Sequence, residues 1–295
     1  VKFGIRGNIN KEQLPEVIFK LLTELDKKSI CYVIEKQLAE LVAANYKYNP
    51  APERIFKDKE LADNCDFMLS VGGDGTFLST AKLVGSKNVP IIGVNLGKLG
   101  FLAETSTTQI AGFINDILKN KYNIEERTVL QAIAESNGAS KTLYGLNEIV
   151  VNQSGSVKTI EIEAFYNNQP IINYLADGLI ISTPTGSTGY SLSAGGPIVS
   201  PKTNVVVLAP ICPHTLTARP IILPDGGEIK INVISKVPVI VTADGNLNVR
   251  LASPAAIEIK KAPYKIKVAK RLDSNYFDVL NKKLLWGEDI RKNKK

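Results

Sequence analysis

The 295-residue chain is 44% hydrophobic and 22% charged, the balance of an ordinary globular protein, which argues against disorder. Its longest apolar runs, such as residues 205–212, fall far below the roughly 18–20 residues that span a bilayer, and the apolar start Val1–Ile5 is too short for a secretory signal. The expectation is a cytoplasmic protein with no membrane partner, long enough for two domains of common size.

Residues 1–122 alternate strand and helix patterns. Phe3–Arg6 reads as a strand, and Lys11–Lys28 follows with Leu14, Val17, Ile18, Leu21, Leu22 and Leu25 at helical spacing. Ile30–Glu35 is a second predicted strand and Gln37–Asn45 a second helix. Tyr46–Lys57, with Pro50 and Pro52, reads as a loop. Phe67–Val71 is a short apolar strand, Phe77–Val84 a helix, Pro90–Val94 a strand and Thr107–Lys119 a helix. Such alternation predicts a Rossmann-like α/β layer with a parallel sheet covered on both faces. From about Asn123 the pattern changes to strands: Arg127–Glu135, Ile160–Tyr166, Ile171–Tyr174, Leu179–Ser182, Val205–Leu208, Glu228–Val233, Val237–Thr242 and Ile257–Lys260. Turn clusters such as Asn167-Asn168 and Asp225-Gly226-Gly227 separate them, and only Tyr190–Ala194 has a helical look. The expected organisation is an α/β domain over 1–122, completed by 271–295, and an all-β, sandwich-like domain over 123–270.

The formal charge of +7 is concentrated at one end: residues 260–295 carry twelve Lys or Arg against four Asp or Glu. No nucleic-acid-binding motif accompanies them, so a solvated basic terminus outside every motif is expected, not a nucleic-acid partner. Cys31, Cys65 and Cys212 are far apart, and His214 is the sole histidine. This spacing supplies no structural metal site and reads as free, mostly buried thiols.

Two segments carry chemistry. Gly72-Gly73-Asp74-Gly75-Thr76 follows a predicted strand and precedes a predicted helix. In open α/β sheets ligands bind beyond the carboxyl ends of the strands, and glycines let backbone amides approach an anion. Gly72, Gly73, Gly75 and Thr76 therefore read as a phosphate loop. Asp74 opposes phosphate charge, which makes sense if it meets Mg²⁺ or accepts a hydroxyl proton; the plainer reading is a tight turn with a helix-capping Asp. The second segment runs from Asp177-Gly178 through Thr183-Pro184-Thr185-Gly186-Ser187-Thr188-Gly189-Tyr190-Ser191-Leu192-Ser193-Ala194-Gly195-Gly196-Pro197. Its hydroxyls, glycines and single Tyr suit a nucleotide cradle.

Taken with Asn147-Glu148 and Asp244-Gly245-Asn246, these segments resemble the NAD kinase family, in order and at fitting distances. The resemblance departs at Gly189, where the family commonly has Ala, and at Asn246, where it usually has Gln. It implies an α/β domain followed by a β-sandwich-like domain, with the active site between them. The implied reaction moves a phosphoryl group from ATP, another triphosphate or polyphosphate to the adenosine ribose 2′-hydroxyl of NAD, with Mg²⁺ on the nucleotide. Asp74 would be the acceptor-activating carboxylate. Gly75, Asn147, Glu148, Asp177, Thr188, Gly189, Tyr190, Ser191, Leu192 and Ser193 would bind the dinucleotide, with Lys158, Thr185 and Asn246 as secondary candidates. A homodimer or homotetramer is implied as well. A lipid or other small-molecule kinase, and a catalytically idle dinucleotide-binding regulator, are the competing readings.

Overall fold

The computed structural model describes residues 1–136, 138–155 and 159–285. Two compact units divide the chain, Val1–Glu125 with Ile266–Lys295, and Glu126–Lys265.

The first unit is a parallel sheet layered with helices. Its elements in chain order are β1 (Lys2–Gly7), α1 (Leu14–Lys27), β2 (Cys31–Glu35), α2 (Lys36–Tyr46), β3 (Ile55–Phe56), α3 (Asp58–Leu61), β4 (Phe67–Gly72), α4 (Asp74–Val84), β5 (Ile91–Asn95), β6 (Thr105–Ser106) and α5 (Ile110–Leu118). The strands run in the order β5-β4-β1-β2-β3, all parallel, with β6 beside β5. Every residue of β4 is buried, as expected of a central strand with both faces covered. In α1, Leu14, Ile18, Leu21, Leu22 and Leu25 pack with Phe3, Ile5 and Leu69 from the sheet. Helix α4 differs from the sequence expectation: it begins at Asp74, not Phe77, because the glycine turn is taken up into its first turn.

The second unit is a β-sandwich. Its elements are β7 (Asn123–Ser136), β8 (Ala139–Gly145), β9 (Glu148–Gln153), β10 (Ile160–Tyr166), β11 (Gln169–Ala176), β12 (Gly178–Ser182), the short α6 (Tyr190–Ser193), β13 (Val205–Ile211), β14 (Ile221–Pro224), β15 (Ile229–Ile234), β16 (Val239–Ala243), β17 (Leu247–Leu251) and β18 (Ala255–Lys270). One antiparallel sheet has the order β14-β13-β12-β9-β16-β17, and the facing layer contains β11-β10-β15-β18 with β7 and β8. Alternate residues meet between the layers: Ile149, Val151, Leu179, Ile181 and Leu208 pack in one core with Ile160, Ile162, Ile231, Ile257 and Ile259. Strand β18 runs far beyond the four residues that the alternation marked; from Ile266 its residues belong to the first unit, where Val268 pairs with Ile91 of β5. The chain ends its described part in α7 (Tyr276–Leu284), whose Val279 and Leu280 are buried.

The cysteines are free, but they are not mostly buried. Cys31 and Cys212 are exposed, and Cys65 is the partly covered one, its thiol pushed up to about 12 by burial.

Candidate active site

Strand β4 delivers the chain to the carboxyl edge of the parallel sheet, where Gly72 pairs with Asn95 of β5. A side chain at position 72 is impossible without rearrangement: its Cβ would sit 2.2 Å from Thr76 Oγ1. Gly73 is the N-cap of α4, and a Cβ at Gly73 or Gly75 would meet nothing within 4 Å. The loop is therefore closed toward the helix and open on its other side. First-turn amides of a helix lack intrahelical partners and face the positive end of the dipole, the standard setting for an anion. Arg6, near the end of β1, braces the helix from below, donating to Ser79 Oγ at 2.7 Å and Thr80 Oγ1 at 3.2 Å while it pairs with Asp58 at 2.7 Å.

Asp74 stands on the first turn of α4 and is saturated with donors. Oδ1 accepts from Leu102 N at 2.9 Å and Ala103 N at 3.1 Å; Oδ2 accepts from Phe101 N at 3.0 Å and Lys283 Nζ at 2.9 Å. Gly100 lies so close that a Cβ there would fall 2.1 Å from Oδ1. Burial pushes the Asp74 carboxyl upward, but the Lys283 ammonium and the Ala103 and Leu102 amides outweigh it and hold the group below its ordinary range. Asp74 is thus a fixed, ionised acceptor and not a helix N-cap. The Phe101–Ala103 loop and Lys283 escaped sequence reasoning. Gly97 and Gly100 following a buried strand were the available signal for the loop. Lys283 sat within the run of charges expected to be a solvated tail, and the structure corrects that expectation.

The second unit gathers a different set. Asp244, in the turn between β16 and β17, accepts from the backbone amides of Leu146, Asn147 and Glu148 at 2.8, 2.8 and 3.2 Å. It fixes the corner that starts β9. The sequence marked this turn, with Asn246 as a secondary candidate and no role for Asp244; Asn246 Nδ2 donates to the carbonyl of Asp244 at 3.1 Å. Asn147 Oδ1 and Glu148 Oε2 are buried without a hydrogen-bond partner among the described residues. Such orphaned acceptors cost about 1–3 kcal/mol each, a cost that a bound hydroxyl or amide would remove. Burial and the nearby Asp244 charge push the Glu148 carboxyl up to about 7.

The hydroxyl-rich segment wraps onto this corner. Thr183 Oγ1 donates to Leu146 O at 2.6 Å and accepts from Gly186 N at 3.1 Å. Ser187 Oγ donates to Pro184 O at 2.7 Å and accepts from Val199 N at 3.0 Å. Thr188 Oγ1 donates to Thr185 O at 3.3 Å. The hydroxyls of Thr183, Ser187 and Thr188, the last a ligand candidate, are therefore spent folding the segment, and Thr183, Thr185 and Ser187 are buried. Gly186 is required, since a Cβ would lie 2.1 Å from Asn147 O, and Gly189 faces Glu148 Oε2 and Asn147 Nδ2. Around it, Ser191 is buried with an unpartnered Oγ, Leu192 is half-buried, Ser193 is exposed, and Tyr190 is 43% exposed.

Asp177 is not brought to this corner. It precedes Gly178, which pairs with Asn152, whereas Ser182 at the other end of β12 pairs with Glu148. Five residues at the usual rise separate the two ends by about 16 Å. The exposed His214 lies at the Asp177 end, its amide donating to Leu175 O at 2.8 Å. Lys158 falls outside the described residues. Among the described residues no group of three or more His, Cys, Asp or Glu side chains is placed to hold a metal ion, and no helix is long and apolar enough to cross a membrane.

Comparison with known proteins gives this geometry its context. Residues 3–122 match the ATP-NAD kinase N-terminal domain and residues 146–271 the ATP-NAD kinase C-terminal domain. An NAD kinase of Bacteroides fragilis is 37% identical over 294 residues, 99% of this chain and 100% of its own. One from Sulfurimonas denitrificans is 36% identical over 97% of this chain and 98% of its own. In fold, a yeast NADH kinase complexed with NADH superposes with a TM-score of 0.91 at 24% identity, covering 99% of this chain and 90% of that one. An Archaeoglobus fulgidus NAD kinase in complex with ATP gives 0.74 at 23% identity, over 97% and 99%. With both of its domains matched in order and full-length relatives above 30% identity, this chain belongs to the NAD kinase family.

Proposed function

We propose that this kinase phosphorylates NAD to NADP with Asp74 as the carboxylate that orients the adenosine ribose 2′-hydroxyl and takes its proton. The observation that carries the reading is an ionised, half-buried carboxylate on the first turn of a helix that opens from a glycine loop, at the carboxyl edge of a parallel sheet. Phosphoryl transfer asks the protein mainly for alignment and charge neutralisation. A weak base suffices, because the hydroxyl acidifies as its oxygen bonds to phosphorus. Gly72, Gly73, Gly75 and Thr76 form the phosphate loop, with the first-turn amides of α4 facing the transferred group.

The dinucleotide is held, on this proposal, by the second unit. The unpartnered Asn147 Oδ1, Glu148 Oε2 and Ser191 Oγ bond its hydroxyl and amide groups, and the exposed Tyr190 offers a ring. Mg²⁺ would come with the nucleotide and would supply neutralisation of phosphate charge, with no residue of this chain assigned as its direct ligand. A homodimer or homotetramer belongs to the proposal, since a second copy could bring its own Asp177 end to a dinucleotide held at Glu148; so does a cytoplasmic location. The test is incubation with Mg²⁺-ATP and NAD⁺. NADP⁺ should accumulate only when all three components and the protein are present. ATP hydrolysis without NADP⁺, or NAD⁺ binding without turnover, would sink the reading.

A further inference from the structure

We propose that Lys283 is an exchangeable partner of Asp74: its ammonium holds an acceptor position on Oδ2 until the substrate hydroxyl takes it, and then turns to the phosphoryl group being transferred. The proposal rests on Asp74 as the hydroxyl-activating carboxylate.

A carboxylate offers about four lone-pair positions. On Asp74 the amides of Phe101, Leu102 and Ala103 and the ammonium of Lys283 occupy four. A hydroxyl can enter only if one donor leaves. The three amides have little freedom. Gly100 is pressed against the carboxylate and its amide donates to Ala103 O at 3.0 Å, while Leu102 O lies where a Cβ of Gly93 would be only 2.2 Å away. Backbone this tightly packed does not yield without disturbing the sheet. Lys283 is different. It is the one donor on a flexible stem, its side chain 30% exposed.

Tyr276, Val279, Leu280 and Lys283 are spaced i, i+3, i+4, i+7 and so share one face of α7. Leu280 is 1% exposed, so the helix anchors the stem while leaving the head to pivot. The ammonium also lies 4.5 Å from the centroid of the Phe101 ring, a face that stabilises a cation when its carboxylate partner is taken. Two groups bonded to one carboxylate oxygen lie within about 5 Å of each other. The displaced ammonium is therefore beside the attacking oxygen and the phosphoryl group joined to it. In the step itself, the bond from the acceptor oxygen to the γ-phosphorus forms and the bond from that phosphorus to the bridging oxygen breaks. The electron pair leaves with the diphosphate, and the hydroxyl proton passes to Asp74. Lys283 keeps its proton throughout and acts as a charge.

The test compares Lys283→Ala, Lys283→Gln and Lys283→Arg in the full chain, with Lys282→Ala as a control on the same helix. Steady-state kinetics would be run beside calorimetric NAD⁺ binding and thermal melting. We expect kcat to fall by about 10²-fold in the Ala and Gln variants, the usual loss for one electrostatic group at the reacting centre. NAD⁺ affinity should stay level or tighten, because the hydroxyl no longer has to displace a cation. Lys283→Arg should recover much of kcat, and Lys282→Ala should match the unaltered protein. Should the Ala variant not fold, the Gln variant keeps the stem and decides alone. Weaker NAD⁺ binding with kcat intact, or no change in either, would overturn the proposal. Asp74→Asn separates the two layers: an active Asn variant removes the underlying reading of Asp74, whereas an inactive one beside fully active Lys283 variants removes only the role of Lys283.

Discussion

Two aspartates, one in each unit, do the same backbone work and end with opposite electrostatics. Asp74 gathers the amides of Phe101, Leu102 and Ala103, and Asp244 gathers those of Leu146, Asn147 and Glu148. Burial opposes the charge on both. At Asp74 a fourth donor, Lys283, carries a positive charge and tips the balance toward ionisation. At Asp244, among the described residues, no cation joins the three amides in lowering the carboxyl, and burial wins, so it is raised. Burial, with the Asp244 charge second, pushes the neighbouring Glu148 up to about 7. The lesson is that three amides suffice to shape a loop, while the sign of the next neighbour decides what the carboxylate can do. A fixed anion suits a proton acceptor that must be ready at every physiological pH. A carboxyl poised near neutrality suits a binding residue whose hydrogen-bond role changes with pH.

The strongest test of that contrast is Asp74→Asn, which keeps the shape and removes the charge. One amide oxygen can still accept from the loop, but the NH₂ group faces donors it cannot satisfy. Loss of a positioned acid–base group typically costs about 10²–10⁴ in rate. NAD⁺ affinity, proposed to rest on the second unit, should weaken far less. Single-turnover NADP⁺ formation and calorimetry on one preparation measure both. Near-normal turnover would falsify the assignment of Asp74.

Glu148→Gln probes the other carboxyl, with a signature in pH. Glu148 titrates at about 7 in the folded protein against an ordinary value of 4.5. A raised carboxyl favours folding below the lower value, and that advantage is lost as pH rises through the folded value. Between about pH 4.5 and 7 the native protein should therefore lose stability progressively, by about 3 kcal/mol. The Gln variant carries no such charge and should melt higher than the parent at pH 8, with the gap closing toward pH 5. Function should move the other way. If the ionised Glu148 accepts substrate hydroxyls, kcat/KM for NAD⁺ rises toward pH 7–8 in the parent, and the bend disappears in the Gln variant. Parallel melting curves at both pH values would show that Glu148 is not poised as described.

Much of this contrast was invisible in the sequence, for reasons that differ by residue. The alternation of β1, α1, β2, α2, β4 and β5 was legible because burial on one or both faces writes a period into the chain. The glycine loop was legible because Gly72 has no alternative beside Thr76. Strands β3, β6, β8, β9, β14 and β17 were missed, each with at most three consecutive apolar residues and most beside a turn. Asp244 and Lys283 act 96 to 209 positions away from their partners, and no local pattern encodes such a distance. Composition alone does not separate the hydroxyls that fold the segment from those left for a ligand: Thr183 is taken by the carbonyl of Leu146 and Ser187 by that of Pro184. Tyr190 remains open to test: its ring is 43% exposed. Tyr190→Ala should raise KM for NAD⁺ about tenfold, given a stacking contribution of about 0.5–1.5 kcal/mol beyond area burial, and leave KM for ATP nearly unchanged. Equal changes in the two KM values would mean that the ring does not meet the dinucleotide.

The smallest effect belongs to Gly189→Ala, which narrows the space in front of Glu148 without touching a charge. The φ there, −100°, is negative and so carries no left-handed strain, while the ψ of −131° falls outside the main β and α regions. The added Cβ would lie 3.2 Å from Gly186 O, 3.4 Å from Glu148 Oε2 and 3.5 Å from Asn147 Nδ2. Only the first contact is tight, and it asks for a shift of a few tenths of an ångström. Against that strain stands the lower entropy of the unfolded chain, which makes a compatible Gly→Ala change stabilising by about 0.4–1 kcal/mol. The two terms nearly cancel, so the melting temperature should move by no more than about 3 °C in either direction. The methyl group also covers part of Glu148, and desolvation raises a carboxyl. The pH at which kcat/KM for NAD⁺ bends should therefore move upward slightly in the Ala variant, with KM changed less than about threefold at pH 8. A downward shift, or a collapse of NAD⁺ binding at pH 8, would place the Gly189 methyl position in the path of the substrate instead of beside Glu148.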